Sequence, residues 1–534
     1  MAGEAGNNKW IGKRTIRPDG ADKVTGRAAY GADYSLPGML WGKVLRSPHP
    51  HARIKSINLD KALALPGVKA AITAQDIVEI PLEKPVIVGI QDMRWMCRNV
   101  MARDKALFAG HPVAAVAATS KKIAAQAAKL IEVDYEVLPW VIDVEEAMKP
   151  GAPVLHEHIR APGDTTDTPS NIAGRLEHNL GDIEAGFAAA DVVVERSFKT
   201  KPVHQGYIEP HACLATVTSD NKATIWSSSQ GHFMIRAMTA HLSGFAQSDI
   251  RVIPAEIGGG FGGKTIVYLE PIALVLSRKS GRPVKMAMSR EDVFRASGPT
   301  SGSSSTVKIG ATKDGRITAV DATYRLQAGA FPGSPTRGAA GCAFAPYNIE
   351  NIKLTGIDVV CNRPKATAYR APGAPIGAFP AESVLDEVAA AIGMDPLQFR
   401  LKNAAKQGTK AAYGPVFNRI GYEETVKAAL EHPHYSAPLG PNQGRGVASG
   451  FWFNAGGDSS AQVNINEDGS VVVITGHPDI GGSRASIANI TAELLGIHVS
   501  QVQVLIGDTS MVGFSAVTGG SRVTFASGMV VTRS

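Results

Sequence analysis

Residues Gly258–Thr265 read GGGFGGKT, and this octet fits two incompatible chemistries. Letter by letter it satisfies G-x-x-x-x-G-K-[ST], the loop that cradles nucleotide phosphates, with an apolar run ending at Ile257 before it and a helix-like apolar stretch after it. On that reading the chain is an ATPase or GTPase, and Lys264 reaches a phosphate. On the other reading the loop brings backbone amides and one aromatic ring, Phe261, against the face of a buried organic or metal cofactor. Its five glycines permit so close an approach because none carries a Cβ.

Other chemistry-bearing residues are less specific. His204, Glu209 and His211 in HQGYIEPHA have the types of metal ligands, but Pro210 argues against the regular helix on which a zinc hydrolase presents two histidines. His49 and His51 in RSPHPHARI read as loop and packing residues, and Asp321 closes an apolar run as a Walker B carboxylate would. There is no G-x-S-x-G nucleophile elbow and no dinucleotide fingerprint after a strand. Cys97, Cys213, Cys342 and Cys361 lie far apart, so local spacing builds neither a zinc knuckle nor an iron–sulfur cluster, and reduced core thiols are expected.

What stands out is a set of short loops placed after strand-like runs. Besides the octet they are SSSQG (Ser227–Gly231), AYRAPGAP (Ala368–Pro375), PDIGGSR (Pro478–Arg484) and TGGSR (Thr518–Arg522). Several donor-rich loops from distant parts of a chain, converging on one ligand, are what a large anionic cofactor such as a pterin with a pyrophosphate requires. A phosphate-loop enzyme needs only one.

The elements that must position these loops are those of a large globular protein. With 534 residues, 44% hydrophobic and 19% charged, the chain has material for several cores and not the balance of a disordered one. The net charge of +7 is spread singly, without basic runs or interleaved aromatics, so nucleic acid is not expected as a partner. The N-terminus has no apolar signal region and no stretch suits a bilayer, so a cytoplasmic protein is expected, periplasmic only if a partner carries an export signal. LWGKVLRS, AGHPVAAVAA, DVVVERSFKT, ATIWSSSQ, IRVIPAEI, SAQVNINEDG and SVVVITG read as strands. Helices are expected over Ser120–Leu130, Ala381–Ile392 and Ala485–Leu495, and the proline-rich stretch Lys149–Arg175 reads as a linker.

The ordered segments give a specific resemblance. KVTGRAAYGADYSLPGMLWGKVLRSPHPHARI, AGHPVAAVAA and VDYEVLP resemble the hammerhead domain of the molybdenum-binding large subunits of the xanthine oxidase family. WSSSQ, RVIPAEIGGGFGGK, GRPVKMAMSRED, AYRAPG and DPLQFRLKN resemble the first half of the molybdenum region, and PDIGGSRASI, GDT and TGGSRVTFASG resemble the opening of the second. That family comprises molybdenum hydroxylases such as xanthine dehydrogenase, aldehyde oxidoreductase and 4-hydroxybenzoyl-CoA reductase. The resemblance implies a multidomain chain of α/β and α+β class: a hammerhead domain over 1–148, a linker over 149–175, a first molybdopterin-binding region over 176–438 and the start of a second over 439–534.

It also implies roles. Gln230 would hydrogen-bond an oxygen on molybdenum, with Phe261, Gly259, Gly260 and Gly262 beneath the metal and against the dithiolene of a molybdopterin in its cytosine dinucleotide form. Arg370, next to Ala371, would position the cofactor through its forked donors, the alternative being an ordinary salt bridge. Gly481, Gly482 and Ser483, with Ser521 and Arg522, would grip the pterin and its phosphates. Where Gly482 stands the family commonly carries Gln, and where Ala371 stands the carbon monoxide dehydrogenases carry a copper-binding Cys. The expected activity is hydroxylation of an N-heterocycle, aldehyde or aromatic compound with oxygen from water. Electrons would pass to 2Fe–2S clusters and FAD on an iron–sulfur small subunit and an FAD medium subunit. The family's catalytic glutamate belongs to a later stretch; Glu209, Glu270 and Glu382 sit in other retained motifs and are not expected to replace it. The chain is therefore also read as half of a split subunit, or as a non-catalytic cofactor-binding scaffold, inactive without that glutamate.

Overall fold

In a computed structural model the described residues are 8–453 and 456–534. Two compact units are interleaved along the sequence. One comprises Met1–Pro139, His204–Gly298 and Asn454–Ser534, the other Trp140–Val203 and Pro299–Phe453.

The first unit is built on a mixed seven-stranded sheet, in spatial order Ile250–Pro254, Ala223–Ser227, Ala212–Val217, Val284–Ala287, Leu40–Arg46, Pro112–Ala118 and Val68–Thr73. PVAAVAA is buried along its whole length because both faces are covered. Ala115 and Ala117 enter a core shared with Ile272, Leu276 and Met238, whereas Ala114, Val116 and Ala118 pack against Ala124 and Ala127. Those last alanines line helix Lys121–Leu130, which Ser120 caps by accepting the Ile123 N–H at 3.2 Å.

One pairing in this sheet decides where the chemistry lies. Ala223–Ser227 runs parallel to Ile250–Pro254, with Ser227 opposite Pro254. Both strands therefore end at the same sheet edge, and the segments that leave them, Ser228–Gly231 and Ala255–Gly263, emerge side by side. A smaller sheet in the same unit repeats the device. Strand Val471–Thr475 lies between Ala461–Ile465 and Val502–Ile506, parallel to the latter, and helix Ser483–Leu495 is the crossover between them. Val473, Val504, Ile487 and Ala492 form its core, together with Val531 from helix Val523–Arg533.

The second unit has a five-stranded sheet, ordered Val192–Thr200, Ser303–Ala311, Ile317–Gly329, Ile352–Val360 and Ile172–Leu180. Helices Thr336–Ala343 and Ala374–Ala391 pack with it around Tyr324, Phe344, Val384 and Leu385. The second helix starts seven residues before the expected Ala381. Pro380 lies inside it, and a proline that removes one N–H is tolerated here by a helix whose flanking residues Gly377, Ala381 and Val384 are buried. The buried Arg400 guanidinium donates to Glu382 (Nε–Oε2 2.9 Å), which also accepts from the Tyr347 hydroxyl at 2.5 Å and from Ser449 N at 2.7 Å. Among the described residues all four cysteines are free and buried, and no helix is long and apolar enough to cross a membrane.

Candidate functional site

The glycine loop does not have phosphate-loop geometry. The Lys264 side chain is fully buried, and its Nζ lies 2.5 Å from Glu209 Oε2, so it is spent inside the protein. The next helix begins only at Glu270, too late for its N-terminus to face an anion held by the loop. The alternative in which GGGFGGKT serves an NTPase is corrected on these two grounds.

The loop is instead clamped from behind by HQGYIEPHA. Glu209 accepts from Gly258 N at 2.8 Å and Gly31 N at 3.2 Å, and its own N–H donates to Gly258 O at 3.1 Å. A Cβ on Gly263 would stand 2.6 Å from the Tyr207 ring, which is why glycine is required at that position. His204 and His211, candidate ligands by type, are hydrogen-bonded to Ser297 (2.9 Å) and to the Tyr207 hydroxyl (2.7 Å). Burial, and then Arg290, brings His204 down to about 4. Burial raises Tyr207 to about 12 and, with Lys264, lowers His211 well below its usual value. These groups are neutral near pH 7. Burial also lowers Lys264, against the pull of Glu209.

Gln230 is the hub of the site. Its Oε1 accepts from Gly262 N (2.8 Å) and Lys264 N (3.2 Å), and its Nε2 donates to Thr518 O (2.8 Å). Its backbone N–H reaches Lys264 O (2.9 Å), and its carbonyl accepts from Thr518 N (2.7 Å). Thr518 in turn donates its hydroxyl to Pro478 O at 2.9 Å. GGGFGGKT and TGGSR are thus tied to SSSQG through one amide side chain, and PDIGGSR joins them through the Thr518 hydroxyl. A Cβ on Gly260 would sit 2.6 Å from Gln230 Oε1, so that residue must also lack a side chain. Phe261 adopts a left-handed φ of 52° and is 46% exposed, presented outward from the loop.

Beside this cluster is a cavity of about 300 Å³ lined by Gly481, Gly482, Ser483, Ser486, Thr518, Ser521, Arg522 and Thr524, among others. The pterin-side residues expected from the sequence therefore lie together in one unit with Gln230 and Gly259–Gly262. Two details differ from expectation. The amides of Gly482, Ser483 and Arg484 donate to the Asp479 carboxylate at 2.6, 2.9 and 3.1 Å, so the N-terminus of helix Ser483–Leu495 is sealed by the chain's own anion. The Arg522 guanidinium is buried and donates to Gly457 O (3.3 Å), Ser459 Oγ (3.4 Å) and Val517 O (3.2 Å), propping the cavity wall. Left for a ligand are the buried Ser483 Oγ, which has no partner among the described residues, and the first turn of helix Val523–Arg533, which none of their side chains caps. Flat polar rings with hydrogen-bonding edges and a terminal phosphate suit that donor set, so the residues present fit a pterin.

Sequence reasoning missed Asp479, Thr518 and Glu256, the last of which accepts from Arg484 Nη2 at 2.7 Å and so ties the strand end before the glycine loop to PDIGGSR. An Asp a few residues before a helix start is a capping signal, but nothing local marks Thr518, whose bonds come from 288 residues away. Arg370 and Ala371 belong to the other unit. Both have left-handed backbone, with φ of 24° and 60°, on the loop before helix Ala374–Ala391. Arg370 is exposed and joins no ion pair among the described residues, so the salt-bridge alternative has no partner there.

Comparison with known proteins gives the same assignment. The aldehyde oxidase and xanthine dehydrogenase a/b hammerhead domain matches residues 25–139, and molybdopterin cofactor-binding domains match 165–404 and 419–534. A probable xanthine dehydrogenase subunit of Bacillus subtilis is 32% identical over 95% of this chain and 68% of its own. The nicotinate dehydrogenase large molybdopterin subunit of Eubacterium barkeri is 33% identical over 79% of this chain and 96% of its own. Among solved structures, quinoline 2-oxidoreductase from Pseudomonas putida 86 superimposes with a TM-score of 0.84 at 26% identity, over 99% of this chain and 70% of that one. The aldehyde oxidoreductase from Desulfovibrio desulfuricans gives 0.86 at 28%, over 99% and 60%. With three domain matches in the family's order and a relative one-third identical across nearly all its length, the chain belongs to the molybdenum-binding large subunits of the xanthine oxidase family.

Proposed function

We propose that this chain is the molybdopterin-binding part of a molybdenum hydroxylase that oxidises an N-heterocycle, with iron–sulfur and FAD carriers on partner subunits taking the electrons. The observation that carries the reading is the Gln230 hub, which joins three donor loops beside a cavity whose free groups suit a pterin. Nitrogen heterocycles are favoured over aldehydes because the relatives above include enzymes named for xanthine, nicotinate and quinoline. Ala371 has no sulfur for copper, which disfavours carbon monoxide as substrate.

When bound, the cofactor supplies a two-electron acceptor and an activated oxygen from water. The chain's own residues bind and orient it. Two acceptor bonds at Oε1 and one donor bond at Nε2 hold the Gln230 amide rigid, so its remaining N–H would be a preorganised donor for an oxygen of the bound cofactor. Phe261 supplies an apolar surface at the same place. Ser483 Oγ, Ser521 and the amides opening helix Val523–Arg533 receive the pterin edge and its phosphate, in the cytosine dinucleotide or simpler form.

Each of the three carboxylates that neighbour the recognised motifs in sequence is already engaged within its own unit. Glu209 is held by Lys264 and two amides, and Glu270 by Ser227 Oγ at 2.6 Å and two backbone N–H groups. Glu382 is held by Arg400, Tyr347 and Ser449. The base therefore comes from residues other than these three. A second reading, that two polypeptides share the site, is favoured by the 96% coverage of the relative named as a large molybdopterin subunit. Metal and pterin analysis of the purified assembly tests both. Molybdenum and pterin in equal amounts support the function, and their absence overturns it; a second polypeptide that copurifies and is required for turnover supports the shared site.

A further inference from the structure

We propose that the N-terminal segment Arg17–Lys23 is a charged clasp that fixes the spacing between the two cofactor loops, with Asp19 and Glu256 as its positioning residues. The inference rests on the reading that these loops hold the pterin. Glu256 stands two residues before the glycine loop, and Arg484 closes the PDIGGSR loop. They meet directly, Arg484 Nη2 lying 2.7 Å from Glu256 Oε1, while Arg484 N is bound to Asp479 within its own loop.

The N-terminal segment grips both partners. Lys23 Nζ lies 3.2 Å from Glu256 Oε2 and 2.7 Å from Asp19 Oδ2, and Arg484 Nη1 lies 3.5 Å from the same Asp19 oxygen. Arg17 holds Asp19 through both carboxylate oxygens, at 3.0 and 2.6 Å. Its guanidinium carbon is 3.7 Å from where a Cβ on Gly482 would stand, so Arg17 fills the space that this cavity-lining glycine leaves. The Glu256 backbone adds an N–H to Ala29 O at 3.0 Å.

Two features separate this network from ordinary surface ion pairs, which contribute little. Asp19 is only 8% exposed, and the Glu256 and Arg484 side chains 18% and 15%. Burial opposes ionisation of Asp19, yet Arg17 and Lys23 outweigh it and hold the carboxyl well below its usual range. Burial likewise opposes the Lys23 and Arg484 cations, and the surrounding carboxylates raise both. Asp19, Lys23 and Arg484 therefore stay charged near neutral pH. Moreover, helix Gly20–Thr25 buries none of its own residues. The segment adds no apolar core there, and its charges are what attach it to the loops.

The test uses the assembled enzyme with Asp19→Asn, Glu256→Gln, Arg484→Gln and the Glu256→Gln/Arg484→Gln pair, reading the rate of pterin release as its fluorescent oxidation product. Each single change should speed release about tenfold, the size of an ordinary coupling within one charge network, and the double no more than the faster single. The cofactor-free chains should melt below wild type, since Asp19 contributes to stability, yet stay folded at the assay temperature. Release at the wild-type rate, or single effects that multiply in the double, overturns the clasp. Arg484→Lys, which keeps the cation and loses the fork, stands in with the same two readings if Arg484→Gln is insoluble. A wild type carrying no pterin defeats both site and clasp, whereas a pterin-bearing wild type whose variants release no faster defeats the clasp alone.

Discussion

Lys264 shows how the same letter means different things in two environments. In a phosphate loop the lysine reaches out and its loss removes nucleotide binding; here it is a buried partner of Glu209, so its loss strands a carboxylate away from water. Lys264→Met should therefore destabilise the chain by about 3–5 kcal/mol with no ATPase to lose, and Glu209→Gln added to it should recover much of that, since a neutral amide is cheaper to bury. Denaturant unfolding of the two variants measures both, and additive losses would show that the residues do not act as a pair. Gln230 makes the complementary case. Truncation to Ala leaves the Gly262 and Lys264 amides and the Thr518 carbonyl short of partners, at about 1–3 kcal/mol for each buried group, so Gln230→Ala should lose stability as well as turnover. Gln230→Glu keeps two acceptor bonds and removes the donors. It faces the Thr518 carbonyl with a second acceptor and so should also lose stability, and it should turn over about 10²-fold or more slowly, because a preorganised donor contributes on that scale. Equal turnover in Gln230→Glu and wild type would leave Gln230 a purely structural hub.

At the scale of elements, convergence comes from strand direction. Ser227 and Pro254 are neighbours on parallel strands, so the loops that follow must share an edge, and the glycine loop then needs small residues to fold back onto Gln230. Gly260→Ala places a methyl 2.6 Å from Gln230 Oε1 and should mimic Gln230→Ala in cofactor content and activity; a Gly260→Ala enzyme with wild-type pterin content would show that the loop yields instead. Much of this was legible in the chain. The strand runs, the capped helix after Ser120 and the loop set are local patterns, and local patterns report on period and punctuation. What escaped was partnership across sequence distance. The sequence shows that Lys264 carries a charge but not that it faces Glu209. It shows a helix from Ala381, although tertiary packing carries helix Ala374–Ala391 through Pro380 from seven residues earlier. It shows Gly481–Ser483 as open amides, and only the fold turns Asp479 back onto them.

At the scale of the whole molecule, the unit that carries the loops is weighted toward neutral buried histidines. Burial is the leading cause in each: His111 and His477 are brought down to about 4, His232 to about 3, and the half-buried His204 to about 4. In the unfolded chain the same imidazoles titrate near 6.5. Their folded values are depressed, so the unfolded state binds more protons at every pH from about 6.5 down to about 4. Their contribution to stability is thus complete above 6.5 and is lost as the pH falls through that window. Each of the three well-buried rings contributes on the order of 3 kcal/mol at neutral pH that has gone by pH 4, and His204 contributes less because solvent screens it. Asp19 and Asp292, held well below the usual carboxylate range, do not begin to lose their share until lower pH. The expected outcome is a thermal unfolding midpoint that is flat above pH 7 and falls steeply between 6.5 and 4, with pterin released alongside it. His477→Gln, which substitutes a neutral group that still meets Ser459 Oγ, should flatten that slope by about one proton, equivalent to about 1.4 kcal/mol per pH unit. Melting curves of the two proteins across this range decide the matter, and parallel slopes would mean that His477 is already neutral in the unfolded chain or charged in the folded one.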